Sequence, residues 1–185
     1  MEQADSLYRQ EQYGQAILLL KQALSWFEMH REWSAYTHCL SQITSNYYFS
    51  DQNEKALRYN ARAISSGRKF LSAQDTLLGY AFFRRGEILL GEGMLDSSIY
   101  YYKQAAPIFR EAQKGEDLTF CYIGQAVGYY YSSAYDSLEA TLGRALAAAR
   151  SFQLEDKTSF PIIFQLYGVL YDALGDYDKA LATCS

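Results

Sequence analysis

Four segments of this chain close in the same way at nearly constant intervals, and that periodicity limits the fold more than any other property. They are YGQAILLLKQAL (13–24), NEKALRYNARAI (53–64), LDSSIYYYKQAA (95–106) and YDSLEATLGRAL (135–146), each ending in an alanine followed by Leu, Ile or Ala. The alanines, Ala23, Ala63, Ala105 and Ala145, lie 40, 42 and 40 residues apart. A fifth segment opens as YDKALATCS (177–185) and stops before its alanine. A period of this size describes units that bury their apolar faces against neighbouring copies rather than in one central core.

A second pattern precedes the later segments. Phe82, Gly86 and Leu89 recur as Phe120, Gly124 and Val127, then as Phe164, Gly168 and Tyr171. Spacings of four and three place each trio on one helix face. A glycine inside a helix costs roughly 1 kcal/mol against alanine, so it is expected where another helix comes close. The following helix, with its small alanine, is the expected neighbour, which makes each unit an antiparallel hairpin. GDYD (175–178) and SDQNE (50–54) supply turn and capping residues, and Ser72 with Asp75 resembles a capping box. Helices are expected over about 2–10, 13–29, 32–49, 53–69, 73–91, 95–113, 117–131, 137–151, 158–174 and 177–185.

Composition agrees with a helical, well-packed chain. Apolar residues make up 49% and charged residues 21%, which argues against a disordered tail. Only two prolines, Pro107 and Pro161, interrupt the sequence. The net charge of −4, with no run of Lys or Arg, removes the electrostatic basis of nucleic-acid binding by this segment. No apolar stretch approaches the roughly 18 residues of a membrane span, so no membrane insertion is expected. Met1 is followed by Glu2, Gln3, Ala4 and Asp5, unlike a signal peptide, and the default compartment is cytoplasmic. Cys39, Cys121 and Cys184 form no CxxC pair and read as small buried hydrophobes.

The segment FQLYGVLYDALGDYDKAL (164–181) closely resembles the tetratricopeptide repeat consensus, and the resemblance extends over nearly the whole chain as one partial, three complete and one truncated motif. It implies an all-α, right-handed superhelical solenoid of antiparallel hairpins, a single array with units at about 1–30, 31–71, 72–115, 116–155 and 156–185, the first and last incomplete. Some positions depart from the pattern. Thr44 stands for a glycine, Arg85 for an apolar residue, and Ser98 and Leu138 for the small residue seen as Ala16, Ala56 and Ala180. The closing proline is missing, and the period exceeds the usual roughly 34 residues. Such long repeats resemble the kinesin light chain subgroup and the repeat regions of bacterial signalling proteins that carry a separate effector domain.

Catalysis is not expected. His38 adjoins Cys39, but neighbours on a helix point about 100° apart and cannot share a proton. No cluster has metal-ligand spacing and no phosphate-cradling glycine pattern occurs, so no metal and no cofactor are expected. Carried over from the resemblance, the concave face takes His38, Ser41, Ser45, Tyr48 and Phe49 from the second unit, then Tyr80, Phe83, Arg84, Glu87 and Leu90 from the third. The fourth supplies Cys121, Tyr122, Gln125 and Tyr129, and the fifth Gln165, Val169 and Asp172. Chaperone-binding relatives hold a terminal carboxylate with a lysine–asparagine clamp. The matching sites here are Ser41, Gln42, Ser45, Tyr80 and Arg84, of which Arg84 alone suits a carboxylate. The runs Tyr100–Tyr102 and Tyr129–Tyr131 span too wide an arc to face one core, so some tyrosine is expected at the surface. The expectation is a scaffold that binds a protein or peptide segment in an aromatic groove. The alternative is a regulatory segment of a longer signalling protein, positioning a protease, kinase or DNA-binding effector. The incomplete terminal units suggest a fragment and add self-association through uncapped ends as a further expectation.

Overall fold

The structure is a computed structural model that describes residues 2–183, with side chains as far as residue 180. Cys184 lies outside the described residues. Among the described residues ten helices follow in order: α1 (Glu2–Arg9), α2 (Tyr13–Met29), α3 (Trp33–Phe49), α4 (Asn53–Phe70), α5 (Thr76–Gly91), α6 (Leu95–Glu111), α7 (Gly115–Tyr131), α8 (Tyr135–Ser151), α9 (Ser159–Ala173) and α10 (Tyr177–Thr183). No strand occurs among the described residues. The all-α class and nearly every helix boundary follow the hydrophobic spacing of the sequence.

The turns show why the helices stop where they do. At eight of them one residue adopts the left-handed conformation: Glu11, Arg31, Asp51, Gln113, Ser133 and Gln153 at φ of 55–59°, and Gly93 and Gly175 at 73°. The amide of the next residue then bonds back five positions, as in Glu32 N to Phe27 O at 2.9 Å and Lys114 N to Phe109 O at 2.8 Å. This main-chain pattern satisfies carbonyls that a helix end would otherwise leave open. Except at Leu154, which lies ahead of α9, the same residue begins the next helix, Glu32 O accepting from Tyr36 N at 2.8 Å and Lys114 O from Leu118 N at 2.9 Å. Gln12, Glu32, Gln52, Met94, Lys114 and Ala134 make no side-chain cap hydrogen bond. In SDQNE, therefore, Asp51 supplies the turn and Gln52 is no side-chain cap. In GDYD, Asp176 Oδ1 does accept from Lys179 N at 3.3 Å.

One helix start differs from expectation. α5 begins at Thr76, because Ser72 lies in a turn closed by Asp75 N to Ser72 O at 3.1 Å. Asp75 is itself the cap, its Oδ1 accepting from Leu77 N at 2.9 Å.

The chain separates into two compact units, Met1–Ile88 and Leu89–Ser185, the division falling within α5. In the first, α2 packs on α1 and α3, and α3 packs on α4. Its core holds Ala16, Leu20, Cys39, Leu40, Ile43, Ala56 and Ala63. In the second, α7 packs on α6, α8 and α9 around Ala105, Phe109, Ala126, Leu142 and Ala145. Ser98 and Leu138 are as fully buried as Ala16 and Ala56, so the packing accepts different sizes at this one repeat position.

Two departures from the repeat pattern acquire a reason. Thr44 is buried and donates to Leu40 O at 2.9 Å. Arg85 Nη1 donates to Leu57 O at 3.0 Å, so its charge reaches the main chain of α4. The glycine contact also acquires a partner. A Cβ on Gly124 would lie 2.4 Å from Tyr102 Cζ, and one on Gly128 would lie 2.7 Å from Ile99 Cγ1. The nearest atoms thus belong to the preceding helix α6, where the sequence suggested the following one. α7 is flanked on both sides, and the glycine row lies on the α6 side.

Candidate binding site

Helices α1, α3, α4 and α5 of the first unit surround a cavity of about 300 Å³, with α2 contributing Leu20. Helical spacing brings its α3 side chains into register: His38, Ser41, Gln42 and Ser45, with Thr44 and Asn46 beside them. α5 contributes Leu77, Tyr80, Ala81, Phe83 and Arg84. Six of the expected groove residues, His38, Ser41, Ser45, Tyr80, Phe83 and Arg84, therefore line one cavity. The five sites matching the carboxylate clamp all line it too.

Beside the cavity stands a cluster of aromatic rings. Tyr8 meets Phe49 edge-on at 5.7 Å and Tyr13 at 5.8 Å, and Tyr48 meets Phe49 at 5.2 Å. The Arg84 guanidinium lies over Tyr48 at 5.4 Å and over Phe49 at 5.2 Å, within cation–π range. Its Nη1 is 2.7 Å from Glu87 Oε2, an ion pair rather than a well-aligned hydrogen bond, since that oxygen has no aligned donor. Burial raises the Glu87 carboxyl above its ordinary range, and Arg84 opposes the shift. Burial likewise raises the Tyr8 and Tyr48 phenols. Arg84 is thus already engaged with Glu87 and two rings, not held open for a carboxylate.

The remaining expected residues divide by exposure. Phe49 is 44% exposed and Tyr80 37%. In the second unit Leu90 and Tyr129 are half-buried, and Gln165, Val169 and Asp172 of α9 are exposed. Cys121 is 0% and Gln125 1% exposed, and Tyr122 is 5% exposed with its hydroxyl accepting from Arg110 Nη2. Neighbours on three sides of α7 close over this stretch, which places Cys121 and Gln125 in the core of their unit. The tyrosine runs each present one ring outward, Tyr100 at 50% and Tyr131 at 66% exposure.

Sequence reasoning missed Ala4, Asp5 and Tyr8 of α1 and the two asparagines Asn46 and Asn60. A signal for Asn60 was present: it interrupts the apolar stripe Ala56, Ala63, Ile64 and Gly67 at helical spacing. Elsewhere, His38 is exposed while Cys39 is buried, its thiol donating to Leu20 O at 3.1 Å. Burial pushes that thiol up to about 12, far from a thiolate nucleophile. No group of three or more metal-binding side chains occurs among the described residues, and no described helix is long and apolar enough to cross a membrane.

No family model and no curated protein matches the sequence. Solved structures do match the fold. The BtubC (BKLC) protein of P. vanneervenii superposes with a TM-score of 0.86 at 20% identity, over 97% of this chain and 73% of that one. A kinesin light chain-type protein of Podospora anserina, built of nearly identical TPR-like repeats, gives 0.81 at 14% identity over 99% and 89%. A Rap protein complexed with Competence and Sporulation Factor gives 0.71 at 17% identity over 97% and 59%.

Proposed function

We propose that this chain, whose all-helical fold is that of the tetratricopeptide-type repeat proteins, is a protein-binding module that holds a peptide or protein segment against its first unit. The observation that carries this reading is the cavity of about 300 Å³ where α3 and α5 present His38, Ser41, Ser45, Tyr80, Phe83 and Arg84 together. A concave site with apolar walls and a few polar groups is the usual form of a ligand pocket. Half-exposed rings such as Tyr80 and Phe49 are the residue types that anchor partners. The Rap match adds support, since that protein was solved in complex with Competence and Sporulation Factor. The residues of α9, Gln165, Val169 and Asp172, extend the proposal to the second unit as a separate contact surface.

A random-peptide library displayed against the intact chain supplies the test. A selected peptide should lose about 1–2 kcal/mol of affinity with Phe83→Ala, measured by calorimetry, while circular dichroism shows an unchanged helix content. Selected peptides that bind Phe83→Ala and Tyr80→Ala as tightly as the parent would remove this site from consideration.

A further inference from the structure

Helix α2 is apolar where its counterparts in the later repeats carry charge. Leu18, Trp26 and Met29 are 65%, 52% and 77% exposed and lie within an arc of about 80° on the helix. Gly14, Gln15, Gln22 and Ser25 share that side and are exposed, with Leu19 half-buried at its margin. None of these residues is charged. At the positions in step with them, α4 holds Glu54, Lys55, Arg58, Arg62 and Lys69, α6 holds Asp96 and Glu111, and α8 holds Asp136 and Arg144. The counterparts of Leu18 (Arg58, Tyr100, Ala140) and of Met29 (Lys69, Glu111, Ser151) are all exposed. These positions therefore face outward wherever they occur in the repeat, and α2 alone of the four fills both with large aliphatic side chains. Lys21, on the flank of the stripe, turns away from it, its Nζ donating to Tyr47 Oη of α3 at 2.9 Å.

The stripe is uneven in shape. At its start an open furrow of about 470 Å³ runs between α1 and α2, lined by Gln3, Leu7, Gly14, Gln15, Leu18 and Leu19. A Cβ added at Gly14 would meet nothing within 4 Å. At its end Trp26 and Met29 form a ridge. The Trp26 ring is held in place there, stacked on His30 at 4.0 Å and edge-on to Phe27 at 5.5 Å, while His30 Nδ1 donates to Trp26 O at 2.8 Å. Gln22 stands seven residues from Gln15 and seven from Met29. Beyond the two ends lie exposed residues of opposite charge, Glu11 before the furrow and Arg31 after the ridge.

We propose that this stripe joins two copies of the chain, their α2 helices antiparallel about a two-fold axis at Gln22. The rotation lays Met29 of each copy in the furrow at Gly14 and Gln15 of the other, and Trp26 against Leu18 and Leu19. The two Gln22 amides meet at the axis, each able to donate and to accept, and a polar residue in an apolar seam fixes its register. Arg31 of each copy comes to Glu11 of the other. Because both copies use the same patch, the contact closes at two, whereas stacking through uncapped ends has no closing step. Leu20, the α2 residue in the first unit's cavity, lies about 160° around the helix from Leu18, so pairing leaves the cavity open and stands apart from the peptide-binding reading.

Sedimentation velocity of the full chain, from low micromolar to near-millimolar concentration, tests this. The mass should rise to twice that of the chain and stop there, with the modest affinity of a small interface. Leu18→Glu and Met29→Glu should each weaken pairing about tenfold or more with helix content unchanged by circular dichroism, while Phe83→Ala in the cavity should not affect it. Register is read by oxidative cross-linking in a Cys184→Ser background. Gln22→Cys should link two copies readily, and Gln15→Cys should not, since its twin would lie about 20 Å away along the helices, beyond disulfide reach. A chain that stays monomeric throughout, mass that grows past two, or pairing indifferent to Leu18→Glu and Met29→Glu would overturn the proposal. So would linking of Gln15→Cys as efficient as that of Gln22→Cys. A monomer whose library-selected peptides require Trp26 and Met29 would assign the stripe to a different protein and overturn it likewise.

Discussion

Two glycines in the second unit carry opposite expectations, although both sit in helices. Gly143 in α8 is exposed, and the nearest atom to an added Cβ is Tyr167 Oη at 3.8 Å, an ordinary contact. Gly143→Ala should therefore stabilise the protein by about 1 kcal/mol through helix propensity. At Gly115 an added Cβ would lie 2.2 Å from Phe152 Cγ and 2.5 Å from Phe152 Cβ. Those atoms sit close to the main chain and cannot swing away, so Gly115→Ala should cost about 1–3 kcal/mol. Urea denaturation of the two variants checks both signs, and a shift in the same direction for both would show that the contacts do not govern them. Which glycine touches what is a fact of the third dimension. The sequence marked Gly124 as a close-approach position through its spacing from Phe120 and Val127, but spacing along one helix cannot say which neighbouring helix supplies the ring. Cys121 and Gln125 illustrate the same gap: their position on α7 suggested a groove, whereas burial depends on α6, α8 and α9 together. The cavity in the first unit was more legible, because His38, Ser41 and Ser45 share an α3 face at spacings of three and four. Asp5 and Tyr8 were not, since nothing in eight residues of α1 announces which helix they will meet.

At the scale of helices and turns, the 20-residue step between Glu11, Arg31 and Asp51, and again between Gly93, Gln113, Ser133 and Gln153, places a left-handed residue at each of these joints. Glycine adopts this conformation without the Cβ clash that other residues carry. Gln113→Gly should accordingly stabilise the α6–α7 turn, raising the unfolding free energy by about 0.5–1 kcal/mol. Thermal melting of this variant beside Gly93→Ala, which should fall by a similar amount, makes the comparison; equal midpoints for both would argue against strain at the joints. The helices themselves were readable from apolar spacing because tertiary packing and local periodicity agree in α2, α3 and α6. The opening of α5 was not, because Ser72 and Asp75 both resemble caps and only the bond from Leu77 N to Asp75 Oδ1 chooses between them.

Across the whole molecule, helix contacts run mainly between neighbours in chain order within each unit, so protection should follow how many sides of a helix are covered. In the first unit α3 buries eight residues and α1 only Ala4. In the second, α7 buries ten and α9 three. Native-state hydrogen exchange should therefore be slowest in α3 and α7 and faster in α1 and α9; uniform protection along either unit would mean that it unfolds as one block. The joints bear on a different matter, the divergence of such chains. Because their closing bonds join backbone atoms alone, the letters at Arg31, Gln113 or Ser133 can drift without dismantling the architecture. Chains agreeing at 14–20% of positions then still superpose with TM-scores of 0.81–0.86, and natural variation is free to rewrite the exposed helix faces while the turns between helices keep their backbone shape.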